Sequence, residues 1–512
     1  MNARQIYSLL TVTTVAGLGI VAGTQFRPTE QAMAQTTPVA AQPAAEATDK
    51  GNPITITVAA GERQTFGGFG ASVGNWGGTY QKLSAEERTT LSRMLWHDLK
   101  FKTLRMWFDT DQYAPTRGAH DMTEFRRMYV DSGLIADARK QGVTTLLLAP
   151  EHLPEYMKGP QADGKAPLRE EEVSNYAVMV ADFIERLKKE GGVQIDVTGV
   201  QNEPNVNELF SEAQIVSIVK QLRSELDKRG LQSVKIIGSE HASVDGLFYK
   251  QLDALKSDPA AWNDMVGIAS HSYNMAATAQ AADTIAAPNG RNTKQYWMTE
   301  ASDNGPEDPG NIARAISLSA RFLNDVNHRV THWIHFLGIE ADDTKDNATR
   351  IISYTAQPYK STVFQKYYTY QQLADTFDVG AVFRASQSSL EGDMTWTFGK
   401  KPRVTAATAK NPDGTWCIGI SNYTADSFSG VQGWSDDNWN SSQGGNTPAQ
   451  TFPVMVHIDE LKNSGDVPFV LHRTNKTANN AKQENVTMKN GDVTVNVASL
   501  ELVTLRSLAP KR

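Results

Sequence analysis

An alternation of short apolar segments with amphipathic helical patterns constrains this 512-residue chain more than any other feature of its sequence. Most of the apolar segments are continuous, which is typical of parallel strands that are buried on both faces. Eight strand–helix units in succession predict an α/β fold, the (β/α)8 TIM barrel. A doubly wound open sheet is the alternative, but no G-x-G-x-x-G motif follows the first strand. The predicted barrel strands cover residues 65–70, 102–108, 144–149, 197–201, 235–238, 266–270, 295–299 and 330–336.

Two capping boxes mark the start of predicted helices. In each box a Ser side chain and the Glu or Gln three residues later bind the free main-chain amides of the first turn. The pairs are Ser84 with Glu87 and Ser211 with Gln214. Apolar residues repeat at helical spacing after each box, and again over residues 173–187 and 312–326. We therefore expect each of these helices to pack one face against the barrel.

The C-terminal part of the chain has the pattern of a second, all-β domain. Turn signals at 411–414 and at 490–491 separate strand-like runs, and residues 493–497 alternate apolar and polar side chains. The pattern predicts a catalytic barrel over residues 66–377 and an appended antiparallel β-sandwich over residues 378–512. Residues 54–65 precede the barrel and begin with an alternating run, so we expect them to supply an N-terminal strand that joins the sandwich.

The N-terminal segment has the features of a signal peptide over residues 1–34. Arg4 precedes a long apolar stretch, and Ala32-Met33-Ala34 provides the small residues of a cleavage site. Residues 35–53, rich in Ala, Pro, Gln and Thr, are predicted to be a disordered linker. The protein is thus predicted to be secreted or periplasmic. The alternative is an uncleaved segment that anchors the chain in a membrane.

Charge and cysteine content exclude several classes of function. The chain has 50 Lys+Arg against 57 Asp+Glu, a net charge of −7, which argues against a nucleic-acid partner. Cys417 is the single cysteine, so neither an intramolecular disulfide nor a cysteine metal cluster can form. His332 and His335 are three positions apart on a predicted strand and point to opposite faces. We expect no metal and no cofactor.

The candidate chemistry lies at strand ends, because a (β/α)8 barrel presents its catalytic groups at the C-terminal ends of its strands. Glu203 follows the fourth predicted strand, and Glu300 follows the seventh. Cleavage of a glycosidic bond needs such a pair, one carboxyl to protonate the leaving oxygen and one to attack or to activate water. Aromatic rings nearby can pack on sugar rings. The other candidates at strand ends are Arg105, Trp107, Asp109, Asn202, His271, Tyr273 and Trp333.

Five motifs occur in order along these strands: F-G-G-F-G-A at 66–71, L-R-M at 104–106, Q-N-E-P at 201–204, H-S-Y at 271–273 and W-M-T-E at 297–300. Together they resemble the motif set of glycoside hydrolase family 30, a clan A family of retaining (β/α)8 glycosidases. The resemblance extends over about residues 54–510 and includes the trailing β-sandwich that this family carries.

The resemblance implies a role for each matching residue. Glu203 would be the general acid/base, and Glu300 the nucleophile that forms a glycosyl-enzyme intermediate. Asn202 would hydrogen-bond the sugar 2-hydroxyl, and Arg105 and Tyr273 would hold Glu300 ionised and oriented. An arginine beside the nucleophile fits the chemistry, because a nearby cation favours the charged carboxylate.

The same resemblance places His271 in the sugar subsite and implies a poly- or oligosaccharide substrate. The chain departs from the family pattern after the third strand, where aromatic character shifts to Tyr156. The implied function is an exported retaining β-glycosidase, with β-1,6-glucan, β-1,6-galactan or xylan as candidate substrates. Two alternatives remain open: a non-catalytic carbohydrate-binding protein on this fold, and a clan A glycosidase of another family, such as one acting on uronic acids. For the latter, Lys158 and Arg169 are the nearby basic residues.

Overall fold

The structure is a computed structural model that describes residues 53–161, 164–204, 206, 208–273, 276–303, 308–342, 349–390, 394, 402–426 and 448–509. The predicted signal peptide and all but the last residue of the predicted linker lie outside these ranges. None of the helices within them is both long enough and apolar enough to cross a bilayer.

The strands, in chain order, are β1 (Ile54–Val58), β2 (Gly68–Ser72), β3 (Thr103–Asp109), β4 (Thr145–Glu151), β5 (Ala166–Pro167), β6 (Val197–Thr198), β7 (Glu208–Leu209), β8 (Lys235–His241), β9 (Gly267–His271), β10 (Gln295–Ala301), β11 (His332–Phe336), β12 (Ile339–Ala341), β13 (Ile352–Ala356), β14 (Tyr359–Val363), β15 (Val382–Arg384), β16 (Ser386–Ser388), β17 (Val404–Lys410), β18 (Trp416–Asn422), β19 (Phe452–Ile458), β20 (Asp466–Asn475), β21 (Ala478–Lys482), β22 (Val486–Lys489), β23 (Asp492–Val497) and β24 (Glu501–Ser507).

The α-helices are α1 (Ala85–Ser92), α2 (Thr110–Tyr113), α3 (Thr123–Phe125), α4 (Leu134–Lys140), α5 (Val173–Gly191), α6 (Glu212–Lys228), α7 (Gly246–Ser257), α8 (Pro259–Asp264), α9 (Ala279–Thr284), α10 (Ile312–Asn327) and α11 (Gln365–Thr376).

Eight parallel strands form a closed barrel in the order β2-β3-β4-β6-β8-β9-β10-β11, and β11 pairs with β2 to complete the ring. Their side chains are buried on both faces, since one face fills the barrel and the other meets the helices. In β3, for example, six of the seven residues are buried. The predicted (β/α)8 barrel is confirmed. The C-terminal ends of all eight strands therefore lie at the same end of the barrel, which we call its mouth.

Most of the remaining strands form one mixed sheet of eleven strands, separate from the barrel. Its neighbours are mainly antiparallel, but β1 pairs in parallel with β19 and antiparallel with β16. No hairpin connects β1 to this sheet, so nothing forces the antiparallel orientation on it. Side chains from β1 and from strands across the sheet share one core cluster. The sheet therefore folds over on itself, as the predicted appended β-sandwich requires.

The two predicted capping boxes are confirmed. Ser84 Oγ accepts from the main-chain amide of Glu87, whose carboxylate accepts from the Ser84 amide at 2.7 Å. Ser211 and Gln214 make the same pair of bonds at the start of α6. Each box fixes where its helix begins, and so sets the length of the loop that leads from the preceding strand.

Helix α10 differs from the one-faced helix that its sequence predicts. Residues 313 to 326 are all buried, including Arg314 and Arg321. The cause is a second covering layer, because the β-sheet packs on the face that would otherwise meet solvent. The side chain of Leu323 lies against Gly419 of β18, and Asn327 donates to the carbonyl of Ser386. Helix α10 thus joins the barrel to the sheet.

Candidate active site

Alternate residues of β3 share one face of the strand, and this face begins the site at the barrel mouth. Arg105, Trp107 and Asp109 lie on it in succession. Arg105 is fully buried, and its guanidinium lies 5.6 Å from the centre of the Trp107 ring. A buried guanidinium needs charged partners, because desolvation of an unpaired cation costs several kcal/mol.

The partners of Arg105 come from three other strand ends. One terminal nitrogen donates to Glu300 Oε1 at 2.5 Å, and the other donates to Asn202 Oδ1 at 2.7 Å. That second nitrogen and Nε also donate to Glu240 Oε2, at 3.0 and 3.1 Å. Arg105 thus ties the ends of β8 and β10 to the segment after β6.

Glu300 lies near the end of β10 and is 5% exposed. Its second oxygen accepts from the Tyr273 hydroxyl at 2.9 Å. Each carboxylate oxygen therefore has a donor, one cationic and one neutral, which fixes the orientation of the side chain. The predicted neighbours Arg105 and Tyr273 do meet Glu300.

Glu203 stands opposite, in the segment that follows β6, with a left-handed backbone at φ 44°. This conformation is uncommon for a residue with a side chain, and it occurs where the surroundings hold it in place. The Glu203 amide donates to the main-chain carbonyl of Glu240 at 2.9 Å. Its Oε1 lies 2.8 Å from His271 Nδ1, which is 3.7 Å from Glu300 Oε2. One oxygen of each glutamate and one ring nitrogen of His271 all lie within 4.8 Å of one another.

The surroundings give the two glutamates different tendencies to hold a proton. Burial raises the pKa of Glu203 to about 7, although the positive charge of Arg105 acts in the opposite direction. Burial also lowers the pKa of His271 to about 4, so the imidazole beside Glu203 is neutral near pH 7. Glu203 therefore has an environment that keeps a proton, whereas Glu300 receives the direct bond from the guanidinium.

A second polar cluster lies beside the glutamates, at the ends of β3 and β4. One donor atom each of Asp109, Glu151 and His152 lie within 4.8 Å of one another. Burial raises the pKa of Asp109 to about 6 and that of Glu151 to about 8. Burial opposes protonation of His152, but the bond to Glu208 and the nearby Glu151 and Asp109 raise its pKa to about 10. This cluster adds carboxyl groups and one cation to the rim.

Both clusters contain residue types that often bind metal ions, but neither cluster is suited to bind a metal ion. In the first, Glu203, His271 and Glu300 face the guanidinium of Arg105, whose charge repels a cation. In the second, His152 is protonated near pH 7 and cannot act as a ligand. The donor chemistry of these described residues thus suits proton transfer and hydrogen bonding better.

Trp333 is not at the site, so its prediction as a sugar platform is wrong. Its ring is fully buried and packs against Phe322 of α10 and Tyr370 of α11, while its indole N–H donates to Asp325 at 2.8 Å. The side chain therefore points from β11 outward to the helix layer. A position near the end of a strand does not by itself place a side chain at the barrel mouth, because alternate side chains of a strand point to opposite faces.

Aromatic rings other than Trp333 lie at or near the barrel mouth. Trp107 lies 5.0 Å from Trp76 and 5.5 Å from Phe336, centre to centre, beside Arg105. Tyr156 lies in a short 3-10 helix after β4, where the Arg117 guanidinium covers its ring at 4.8 Å. The half-buried Trp76 and Phe336 give the mouth its apolar surface.

Two acidic residues of the site, Glu240 and Glu151, are missing from the sequence prediction. The predicted fifth strand stops at residue 238, but β8 continues to His241. The predicted third strand stops at residue 149, but β4 continues to Glu151. Polar residues at a barrel mouth interrupt the apolar run, so the run ends before the strand does. Extending each strand by two residues would have found both.

Comparison with known proteins gives one family match and many similar structures. The sequence model of glycosyl hydrolase family 59 matches residues 121–357, a family different from the one that the motifs resemble. No curated protein matches the chain. A glycoside hydrolase family 30 subfamily 8 xylanase from Clostridium acetobutylicum, Xyn30A, is 17% identical with a TM-score of 0.62, covering 89% of this chain and 99% of that one.

Two further solved structures have the same TM-score of 0.62. The endo-β1,6-glucanase BT3312 is 15% identical and covers 89% of this chain and 94% of its own. A conserved exported protein from Bacteroides fragilis is 12% identical and covers 88% of this chain and all of its own. These similarities establish the shared fold. Together with the family match, they support a glycosidase.

Glu203 makes a pH-dependent contribution to stability that can be measured without a substrate. Its pKa is raised from 4.5 to about 7, so its contribution is complete below pH 4.5 and is lost as the pH rises through 7. Glu203→Gln cannot ionise. We predict that this variant gains stability relative to the parent as the pH rises from 4.5 to 7, by at most about 3 kcal/mol.

Denaturant unfolding at a series of pH values measures this difference. The exposed Glu171→Gln provides the control, with a difference from the parent that we expect to be small throughout. A constant difference between Glu203→Gln and the parent over the same pH range would contradict the buried, protonated state of Glu203.

Proposed function

We propose that this protein is an exported retaining β-glycosidase of the family 30 type, which cleaves a glycan by double displacement. The observation that carries the proposal is the spacing of Glu203 and Glu300, whose nearest oxygen atoms lie within 4.8 Å. Retaining glycosidases hold their carboxyl groups about 5–5.5 Å apart, whereas inverting ones need about 6.5–9.5 Å to admit a water between them. This spacing supports direct attack by a carboxylate.

In the proposed reaction, Glu300 attacks the anomeric carbon while Glu203 protonates the leaving oxygen. The C–O bond to the leaving group breaks as the bond to Glu300 forms, and the proton of Glu203 leaves with the released sugar. Water then attacks the anomeric carbon of the glycosyl-enzyme, and Glu203, now ionised, removes its proton. The bond from the anomeric carbon to Glu300 breaks at the same time, which releases the sugar and returns Glu300 as a carboxylate. A pKa of about 7 suits Glu203 to both steps, because it can give and regain the proton near neutral pH.

Asn202 is suited to bind the sugar beside this pair. Arg105 donates to its side-chain oxygen at 2.7 Å, which orients the amide nitrogen as the group that can donate to a ligand. A hydrogen bond to the 2-hydroxyl strengthens as the oxocarbenium-like transition state develops. Arg105 thus prepares both the nucleophile and the group that binds the neighbouring hydroxyl.

The charges around the mouth favour a neutral glycan over a uronic acid. Glu151, which keeps its proton near pH 7, interacts with Glu203 and Glu300, and Asp109 lies beside it. Their carboxyl groups suit sugar hydroxyls. The basic side chains that a uronic acid would need are already engaged: Lys158 binds Glu155 at 2.9 Å, and Arg169 donates to the Lys158 carbonyl. The positive charge of His152 is likewise engaged by its own acidic neighbours Glu208 and Asp109. β-1,6-glucan, β-1,6-galactan and undecorated xylan are therefore the proposed substrate classes.

Removal of the nucleophile tests the mechanism. Glu300→Ala should lower turnover of an activated aryl β-glycoside by at least about 10⁴-fold, because no glycosyl-enzyme can form. Added azide should restore part of the rate, since it fits where the carboxylate was, and should give an α-glycosyl azide. NMR of the product determines its anomeric configuration.

Glu171→Ala, an exposed glutamate, is the control and should keep the parent rate. Unchanged turnover in Glu300→Ala would remove Glu300 from the mechanism. Binding of glycans by the parent without release of any sugar would instead favour the non-catalytic carbohydrate-binding alternative.

A glycan panel tests the charge argument. We predict that the parent releases reducing ends from at least one neutral β-glycan. We also predict that near pH 7 it acts at least about tenfold more slowly on a glucuronic-acid-substituted counterpart, because the ionised Asp109 repels the uronate carboxylate. Asp109→Asn should narrow that difference by removing one of the charges. Faster cleavage of the uronic acid substrate would contradict the proposed substrate class.

A further inference from the structure

Glu240 is a third buried carboxylate, located behind the pair that would do the chemistry. It is the second-last residue of β8, is fully buried, and accepts two hydrogen bonds from Arg105 on one oxygen. The same guanidinium donates to Glu300. A buried carboxylate is costly unless it is paired, so Glu240 depends on Arg105 as much as Arg105 depends on Glu240.

The charges in this group are unequal in number. One guanidinium serves Glu240 and Glu300 together, so each carboxylate limits how strongly the cation acts on the other. Loss of the Glu240 charge would leave Arg105 to Glu300 alone and strengthen its effect on Glu203 as well. Such a change would strengthen the attraction of Arg105 for both carboxylates and lower the pKa of Glu203.

The other groups that face this network are few among the described residues. His271, on β9, and Tyr273, just beyond it, face Glu300. Tyr176, on α5, interacts electrostatically with Glu240. Burial keeps His271 neutral and raises the pKa of both tyrosines well above the ordinary value, so none of the three adds a charge near pH 7.

Glu151, on β4, interacts electrostatically with both Glu203 and Glu300. Burial raises its pKa to about 8, so this carboxyl group keeps its proton near pH 7 and does not compete for the charge of Arg105.

The main chain of Glu240 supports the second glutamate. Its carbonyl accepts from the amide of Glu203 at 2.9 Å, and Asn202 forms a parallel bridge with Glu240. These contacts hold the segment in which Glu203 adopts its left-handed backbone. A single residue thus reaches Glu300 through its side chain and Arg105, and reaches Glu203 through its carbonyl.

Gly199 makes room for this arrangement. A Cβ atom at position 199 would lie 1.8 Å from Glu240 Oε1, a distance that no real contact allows. The backbone at Gly199 is outside the left-handed region, so the backbone itself would accept an alanine. The absence of a side chain at Gly199 is therefore explained by the space that the Glu240 carboxylate occupies.

We infer that Glu240 is a positioning residue, which sets the orientation and charge balance of the catalytic pair through Arg105 and through the main chain at Glu203. The inference rests on the proposed glycosidase function for its kinetic consequences. Glu240 is fully buried, so this role places it behind the residues that would meet a substrate.

The direct test is Glu240→Gln, which keeps the shape of the side chain and removes its charge. Both limbs of the pH profile of kcat/KM should move to lower pH, by on the order of one unit, since Arg105 then acts on Glu300 and Glu203 unopposed. We also expect kcat/KM at the parent's optimum to fall at least about tenfold. A merely structural role would lower the amount of folded protein without moving either limb.

Glu501→Gln is the matched control. Glu501 is also a buried carboxylate bound by an arginine, Arg473 at 2.5 Å, but it lies in β24 of the separate sheet. The Glu501→Gln variant should leave both limbs of the pH profile of kcat/KM in place. Unmoved limbs in a folded Glu240→Gln would overturn the inference.

Gly199→Ala gives a second test that does not depend on how well the first variant folds. The new methyl group should displace Glu240 and reduce kcat/KM at least about tenfold in the parent. In a Glu240→Ala background the same change should cost little further, because the clash is gone. Equal losses in both backgrounds would contradict the role of Glu240.

Stability measurements separate this inference from the proposed function. In the Glu240→Gln background, the pH range over which Glu203→Gln gains stability should move below the parent's range, whether or not the protein cleaves any glycan. If no glycan is cleaved but this shift occurs, the proposed function fails, whereas the inferred effect of Glu240 on Glu203 is supported. If sugars are released but the pH range of the stability gain does not move, the proposed function is supported and the inferred effect of Glu240 on Glu203 is contradicted.

Discussion

A guanidinium buried at the mouth of the barrel is the constraint on which the site depends. Arg105 is fully removed from solvent, and such a cation remains inside a protein only where anions and hydrogen-bond acceptors surround it. Glu240, Glu300 and Asn202 meet that requirement from three different strand ends. The need to pair one charge thus brings together residues that are far apart in the sequence, and the barrel supplies the common edge at which they can meet.

The two central glutamates differ because their surroundings differ. Glu300 has a donor on each oxygen, whereas Glu203 lies in a partly enclosed position whose desolvation raises its pKa to about 7. Two identical side chains thereby acquire complementary properties within a few ångströms, one suited to hold a proton and one suited to attack. The left-handed backbone at Glu203 is part of the same arrangement, since the contact of its amide with the Glu240 carbonyl holds this segment in place.

Much of this could be predicted from sequence because the signals are local. Capping boxes at Ser84 and Ser211 and continuous apolar strands identify the barrel, and the common mouth then selects the residues at strand ends. Features that depend on side-chain direction or on distant partners could not be predicted. Trp333 is at the correct strand but faces the helices, and Glu240 lies beyond the apparent end of its strand. The burial of α10 depends on a sheet formed mainly by later residues.

The most direct measurement of the central claim is capture of the covalent intermediate. A 2-deoxy-2-fluoro glycoside with a good leaving group slows both steps but slows breakdown of the intermediate more, so the sugar accumulates on the nucleophile. After incubation with a fluorosugar whose parent glycoside the protein cleaves, peptide mass spectrometry should find the added sugar on Glu300. A label on a different residue, or no label together with a product of inverted anomeric configuration, would contradict the account.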